Sequence, residues 1–127
     1  MVQGQRTQNL ATKIQAGIHT LLADVSESSG GNDTGPTPHE LLEAALAACT
    51  IITCQMYAKR KNWNLESTDA QVQILLEGAE TTISNKLNFR GDLTAEQRQK
   101  ILEIADKCPI HRLLESHVII TTEVSDL

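Results

Sequence analysis

Alternating apolar and polar side chains mark the strands of this chain. Residues 8–25 read as extended, with a hairpin turn near residues 15–17. Residues 70–77 and 82–90 alternate again, and a short turn that contains glycine separates them, so they are predicted to pair as an antiparallel hairpin. The apolar run Val118–Val124 predicts a final strand that closes the domain.

One long helix is predicted over residues 38–61, which contain no glycine and no proline after the first position. Thr37 is suited to cap its first turn, and Glu40 to complete a capping box. Over residues 41–58 apolar side chains cover almost every side of the helix, which is typical of a buried helix. Its alanine-rich run would let another backbone approach closely, so we expect a central helix suited to a dimer interface.

A second helix is predicted after the hairpin. Thr94 and Gln97 match a capping box, a one-sided apolar face follows, and the helix is expected to end near Lys107. Pro109 is suited to begin a short helix that reaches about Leu114. Strands, a buried helix, more strands, a helix and a last strand predict an α+β domain with mainly antiparallel pairing.

The size and charge of the chain exclude several classes of protein. Its 127 residues are predicted to form a single domain, residues 1–127. The net charge of −5 argues against nucleic-acid binding, which needs a basic surface. The polar N-terminus is unlike a signal peptide, and no apolar run approaches about 18 residues, so no membrane contact is expected. Three cysteines, with nothing that marks secretion, favour a reducing cytoplasm.

The three cysteines are the candidate chemistry, and each has an ordinary structural alternative. Cys49 and Cys54 are five residues apart in the predicted long helix, so their side chains point about 140° away from each other. They are not placed to pair, and a free cysteine in an apolar helix is usually a small core residue. Cys108 stands at the start of the predicted short helix, where free N–H groups favour a thiolate. It is either a reactive thiol or a partly buried cysteine at a turn.

A metal site is not expected. Cys108 and His111 have a permissible ligand spacing, but the chain has no second Cys/His pair at such a spacing. His19 and His39 are scattered single residues. The glycine-rich loop over residues 30–35 lacks the lysine of a phosphate loop, so no nucleotide is expected either.

Three segments together resemble one known family. Residues 35–49 read GPTPHELLEAALAAC, residues 56–63 read MYAKRKNW, and residues 102–111 read LEIADKCPIH. They resemble, in order and separation, the cysteine-bearing helix, its end and the second-cysteine segment of the OsmC/Ohr proteins, the osmotically induced and organic hydroperoxide resistance proteins. The likeness spans about residues 17–124 and is closer to the OsmC-like branch.

The resemblance implies both a fold and a reaction. The implied fold is curved antiparallel sheets around long central helices, in an intertwined homodimer. The implied reaction is thiol peroxidation, in which Cys49 attacks an organic hydroperoxide, becomes a sulfenic acid and forms a disulfide with Cys108. The family uses an external dithiol reductant of the lipoyl type, so no bound cofactor is expected. An apolar helix around Cys49 would suit the alkyl part of the peroxide, and Cys54 is left as a core residue.

Two positions depart from the family pattern. Where peroxidase members have a glutamate after the proline, this chain has His39, and Glu40 is one residue further on. Residues 7–59 contain no arginine to assist the thiolate, and only Arg6 is near. A cation is expected to lower the pKa of Cys49, from His39, Arg6 or the second subunit. The alternative function is an OsmC-like protein that senses redox state or binds an apolar ligand without peroxidase activity.

Overall fold

The computed structural model describes residues 1–125, which form five strands, three α-helices and one turn of 3-10 helix, Glu27–Ser29. In chain order these elements are β1 (Val2–Arg6), β2 (Thr12–Ala16), β3 (His19–Ala23), α1 (Pro38–Lys61), β4 (Asn64–Leu76), β5 (Thr82–Asp92), α2 (Ala95–Ala105) and α3 (Pro109–Leu114). Both sheets are antiparallel, one of three strands and one of two, so the predicted α+β class is confirmed.

Two compact units divide the chain, one up to Ala44 and the other from Ala45 onward. Helix α1 begins in the first unit and continues in the second. The expectation of a single domain over residues 1–127 stays a prediction.

The N-terminal unit is a three-stranded meander followed by an ordered loop. The predicted hairpin is formed by β2 and β3, and Gly17 takes a positive φ of 63° in the turn between them. Strand β1, which the sequence pattern did not indicate, pairs with β2. After β3, the buried carboxylate of Asp24 accepts hydrogen bonds from three backbone N–H groups of the loop and from the hydroxyl of Thr34. The loop therefore folds around one carboxylate and leads into α1.

The first turn of α1 is capped as the sequence predicts. The hydroxyl of Thr37 accepts from the backbone N–H of Glu40 at 3.1 Å, and the Glu40 carboxylate accepts from the backbone N–H of Thr37 at 3.0 Å. Pro38 is the first helical residue, where its missing N–H group has no partner to lose. The helix then runs 24 residues, as far as Lys61.

The second unit has its core between α1, the β4–β5 hairpin and α2. Its buried cluster consists of Cys54, Ala58, Leu65, Ile101 and Ala105. The hairpin confirms the predicted pairing, although β4 begins six residues earlier than the alternation suggested. Two register shifts along its ladder are sites where an antiparallel pair bends.

Polar side chains attach both helices to the hairpin. The amide of Asn85 in β5 donates to the hydroxyl of Thr50 in α1 at 3.0 Å. Arg98 of α2 donates to the backbone carbonyls of Phe89 and Gly91. Helix α2 begins with the predicted capping box, and α3 begins at Pro109 as expected. These bonds hold α1 and α2 in place, and the turn after α2 then leads directly into α3.

Helix α1 is less buried than predicted. Its buried residues fall on one stripe, four positions apart: Leu46, Thr50, Cys54 and Ala58. Three large apolar side chains on other sides are exposed, namely Leu42, Ile52 and Met56. The prediction of a helix buried on all sides is therefore wrong for the single chain, because the described residues cover only one face of it.

By length and composition alone, one helix of the described residues, α1, could cross a membrane. An 18-residue window of α1 has a mean hydropathy of 1.5, and 22% of that window is buried inside the chain. Central helices of protein cores reach the same length and hydropathy. The finding therefore describes the composition of α1 and does not place it in a membrane.

The predicted final strand does not form. Residues 117–125 have no regular secondary structure. The apolar side chains of Val118, Ile119, Ile120 and Val124 are exposed. A strand requires a hydrogen-bonded partner strand, and no described strand of this chain pairs with the segment.

Candidate active site

Cys49 and Cys108 are brought together by two elements of the second unit. Cys49 is half-buried in the middle of α1, and Cys108 is fully buried just before α3. Both are free thiols, and they lie close enough together that each displaces the pKa of the other. The two residues are 59 positions apart in the sequence, so only the fold of this unit makes them neighbours.

The start of α3 supplies backbone donors to both sulfur atoms. Cys108 is the residue that caps α3, and its sulfur accepts from the backbone N–H of His111 at 3.3 Å. The backbone N–H of Ile110 is directed at the sulfurs of Cys49 and Cys108. Pro109 fixes the first helical position, and the N–H groups that follow it have no partners inside the helix.

The pKa values of the two thiols are displaced in opposite directions. Burial is the largest single influence on the Cys49 pKa, and it raises that pKa because it disfavours the thiolate. Hydrogen bonds from the Cys108 thiol, the Ile110 N–H and the Thr53 hydroxyl together outweigh burial, so the Cys49 pKa is lowered. The Thr53 oxygen lies 4.0 Å from the Cys49 sulfur. Burial, and then donation of its own proton to Cys49, raise the Cys108 pKa. The negative charge of the pair therefore resides on Cys49.

This distribution corrects one sequence-based expectation. The expectation that the helix start makes Cys108 a thiolate is wrong, because burial and the neighbouring Cys49 sulfur outweigh the N–H groups there. Hydrogen bonds alone lower the Cys49 pKa in the single chain, and the expected cation, from His39, Arg6 or the second subunit, stays a prediction. The four-residue spacing of Cys49 and Thr53 could have indicated the hydroxyl. No sequence signal indicated the Ile110 N–H.

Cys54 is a core residue and does not take part in the Cys49–Cys108 pair. It is fully buried in the core cluster, and its sulfur donates to the backbone carbonyl of Ile101 at 3.9 Å. Burial, and then the charge of Cys108, raise the pKa of Cys54 to about 11. The assignment of Cys54 to the core is confirmed by its burial.

His111 is held by carboxylates on both sides of its ring. Its Nε2 atom is 2.7 Å from the Glu115 carboxylate, and its Nδ1 atom is 4.0 Å from the Asp106 carboxylate. Both ring nitrogens of His111, the residue considered as a metal ligand beside Cys108, therefore face carboxylates. Among residues 1–125, no group of three or more His, Cys, Asp and Glu side chains is placed to hold a metal ion.

The three supporting residues suggested by the sequence belong to the N-terminal unit. Arg6 is exposed at the end of β1 and donates to the backbone carbonyl of Asn9 at 3.2 Å. Glu40 is engaged in the cap of α1. His39 is exposed in the first turn of α1, ten residues before Cys49 in the same helix. Their roles at the thiolate stay predictions.

Comparisons with known proteins agree on one family. The family model for OsmC-like protein matches residues 30–123. No curated protein matches the chain significantly. Similar solved structures include an OsmC like protein from Mycoplasma pneumoniae, with 14% identity, a TM-score of 0.76 and coverage of 91% of this chain and 86% of that one. At these identities the structural likeness shows the fold alone.

Two further solved structures have names that mention organic hydroperoxides. The organic hydroperoxide resistance protein OsmC from Legionella pneumophila is 17% identical, with a TM-score of 0.67 and coverage of 91% of this chain and 88% of that one. The organic hydroperoxide resistance protein OhrB of Bacillus subtilis is 20% identical, with a TM-score of 0.64 and coverage of 91% and 89%. Both have the fold found here.

Proposed function

Because this chain belongs to the family of OsmC-like proteins, we propose that it is a thiol-dependent peroxidase that reduces organic hydroperoxides through Cys49 and Cys108. The observation that carries the proposal is the proximity of two free thiols whose pKa values are displaced in opposite directions. A lowered pKa provides the nucleophile, and a neighbouring protonated thiol provides the resolving group. Structural relatives named for organic hydroperoxide resistance support the choice of substrate.

The first step takes place at Cys49. Its thiolate attacks the outer oxygen of the hydroperoxide, the O–O bond breaks, and Cys49 becomes a sulfenic acid, two electrons more oxidised. The alkoxide that leaves takes a proton and departs as the alcohol. The thiol of Cys108 is hydrogen-bonded at this position and is the proton donor we assign to the alkoxide. Proton transfer would leave Cys108 as a thiolate beside the new sulfenic acid.

The second step joins the two sulfurs. The Cys108 thiolate attacks the sulfenic sulfur of Cys49, a disulfide forms, and hydroxide leaves and takes a proton from solvent as water. Cys108 is fully buried, so peroxide reaches it less readily than it reaches the half-buried Cys49. This difference in exposure favours a defined order, in which Cys49 is oxidised first and Cys108 resolves.

The third step restores the pair. An external dithiol, of the lipoyl type in this family, attacks the Cys49 sulfur because that is the more exposed end of the disulfide. Its second thiol then releases Cys49, so that the reductant leaves as a disulfide and both cysteines return to thiols. The protein would need no bound cofactor for this cycle.

A homodimer is part of the proposal. The exposed apolar residues of α1 and of residues 118–124 are the kind of surface that one folded chain leaves for a second copy. The C-terminal segment is rich in β-branched residues and would pair as a strand once an edge from the partner is available. We place the protein in the reducing cytoplasm, where a cycle that ends in free thiols can operate.

A second function has one observation in its favour. The position of the glutamate in peroxidase members holds His39, which is exposed. If that position is required for turnover, Cys49 and Cys108 would still form a disulfide, and the protein would sense redox state or bind an apolar ligand without catalysing peroxide reduction.

The experiment that separates the two functions follows peroxide consumption. Reduced protein with dihydrolipoamide as reductant is mixed with cumene hydroperoxide and, separately, with hydrogen peroxide. We expect repeated turnover with cumene hydroperoxide and slower turnover with hydrogen peroxide. Oxidation that stops after one equivalent of cumene hydroperoxide in the presence of the reductant would favour the sensor, and consumption that Cys49→Ser does not reduce would exclude both.

A further inference from the structure

Helix α3 has few contacts of its own to hold it in place. It is six residues long, and an isolated helix of that length is unstable in water. None of its residues is fully buried, and residues 117–125, which come soon after it, have no regular secondary structure. The position of α3 therefore depends on polar contacts near its two ends.

The side chain of His111 makes such contacts. Its Nε2 atom lies 2.7 Å from the carboxylate of Glu115, which follows the last residue of α3. Its Nδ1 atom lies 4.0 Å from the carboxylate of Asp106, which follows the last residue of α2. The imidazole is partly buried, whereas both carboxylates are exposed. One side chain thus bridges the ends of two helices across the turn that contains Cys108.

The first turn of α3 also supplies the donors of the thiol pair. The backbone N–H of His111 donates to the Cys108 sulfur at 3.3 Å, and the N–H of Ile110 is directed at the sulfurs of both Cys49 and Cys108. A hydrogen bond weakens steeply as its angle bends, so these donors act only where the helix holds them. The contacts that fix the first turn of α3 therefore also fix the donors around the two sulfurs.

We propose that His111 is a positioning residue for the thiol pair. Its imidazole, held by Asp106 and Glu115, fixes the first turn of α3 and keeps the N–H groups of Ile110 and His111 directed at the sulfurs. The inference rests on the proposed function, because it deepens the account of the same site. In this role the imidazole acts through the backbone and takes no part in the chemical steps.

Alkylation of Cys49 by iodoacetamide across a range of pH tests this role without peroxide. In His111→Leu both carboxylate contacts are lost and the donors are held less well, so the pH midpoint of Cys49 alkylation should rise by up to about one unit. His111→Gln keeps a side-chain N–H group that can reach Glu115, so its midpoint should stay closer to that of the parent protein. Equal midpoints in the parent protein and in His111→Leu would overturn the proposal.

Variants of the two carboxylates separate positioning from simple charge. Removal of a negative charge near a thiol favours the thiolate, so a purely electrostatic effect of Glu115→Ala or Asp106→Ala would lower the midpoint. Loss of the contacts that hold α3 should raise it instead. We expect a rise of about half a unit in Glu115→Ala, whose contact is the shorter, and a smaller rise in Asp106→Ala. A fall in both variants would refute the positioning role.

Arg112→Gln is the matched control for His111→Leu. Arg112 is the next residue of α3, is exposed and carries a full positive charge, and its side chain forms no ion pair among residues 1–125. Its replacement should leave the midpoint within about 0.2 unit. A shift as large as that of His111→Leu would mean that any cation of α3 serves, and would contradict a role specific to the imidazole.

Cys54 reports whether each variant is folded. It is fully buried in the core, so it should stay unmodified by iodoacetamide as long as the fold is kept. If Cys54 is alkylated in His111→Leu, the fold is lost in that variant. Glu115→Ala, which changes an exposed residue, then decides the question by the direction of its shift.

The test is independent of peroxide consumption. A chain that fails to consume cumene hydroperoxide can still show the expected midpoints, and only the proposed function would then fail. Midpoints that do not move among the variants, in a chain that does consume the peroxide, would refute the positioning role of His111 alone.

Discussion

Cys49 and Cys54 stand five residues apart in one helix, yet their surroundings displace their pKa values in opposite directions. Burial opposes the thiolate at both positions. Cys49 has three hydrogen-bond donors around its sulfur, whereas the sulfur of Cys54 faces a carbonyl oxygen, which accepts a hydrogen bond and cannot donate one. The contrast shows that the hydrogen-bond partners of a thiol determine its reactivity, whereas its position along an apolar helix does not.

The difference also explains how the pKa of a mid-helix thiol is lowered within the single chain. The donors come from three places: the next turn of α1 through Thr53, the thiol of Cys108, and the backbone of α3. Hydrogen bonds to a charged group are worth about 1.5 to 3 kcal/mol each, which is enough to offset partial burial.

Substitution of serine for each cysteine in turn should show the difference in function between Cys49 and Cys54 most clearly. Cys49→Ser removes the proposed nucleophile and should reduce peroxide consumption by on the order of a thousandfold or more. Cys54→Ser should leave the rate within about twofold, since Cys54 has no role in the proposed cycle. Initial rates with cumene hydroperoxide and a dithiol reductant measure both. A Cys54→Ser variant as inactive as Cys49→Ser would abolish the distinction.

Removal of the resolving thiol should stop the cycle after its first step. In Cys108→Ser the Cys49 sulfenic acid has no partner, so it should accumulate and be trapped by dimedone in one equivalent per chain. Steady turnover should fall by about a hundredfold or more. The same trapping in the parent protein is the control and should give little adduct. A variant that turns over normally would show that Cys108 does not resolve the sulfenic acid.

The pH dependence of alkylation should report the hydrogen bonds to Cys49. The thiolate fraction of Cys49 rises as the pH passes its lowered pKa, so iodoacetamide should react with Cys49 at a lower pH than with an ordinary thiol. Cys54, with a pKa of about 11, should stay unmodified in the folded protein. Thr53→Val removes one donor and should raise the pH midpoint by up to about one unit. Thr53→Ser keeps the hydroxyl and should not. Identical profiles for the two variants would rule out the Thr53 bond.

Truncation of Cys54 should affect stability and leave chemistry alone. Cys54→Ala opens a small cavity against Ile101 and should lower the free energy of unfolding by about 1 kcal/mol. The alkylation profile of Cys49 is the control and should not move. Urea unfolding followed by circular dichroism gives the free energy, and an unchanged value would mean that Cys54 does not contribute to core packing.

The elements of the fold were largely predictable because they depend on neighbours in sequence. The Thr37 and Thr94 caps, the long helix, the hairpins and the start of α3 at Pro109 all rest on contacts within a few residues. The final strand was not predictable in this way. Residues 118–124 have a strand pattern, but a strand also needs a partner strand, and none of the described strands pairs with them.

The candidate site was predictable only in part. The resemblance selected Cys49 and Cys108 as a pair, and the fold places their thiols in contact. The start of α3 also suggested a thiolate at Cys108, because the helix start is visible in the sequence whereas the burial of that sulfur is not. The Ile110 N–H was missed since backbone donors carry no residue signature, and the cation expected beside Cys49 stays a prediction.

The most direct measurement of the central claim is a map of the cysteines after one equivalent of cumene hydroperoxide. Reduced protein is treated, free thiols are blocked, and the peptides are identified by mass spectrometry without reduction. The account predicts a disulfide between Cys49 and Cys108 in the same chain, with Cys54 blocked as a free thiol. Oxidised Cys54, or Cys49 and Cys108 both recovered as free thiols, would contradict it.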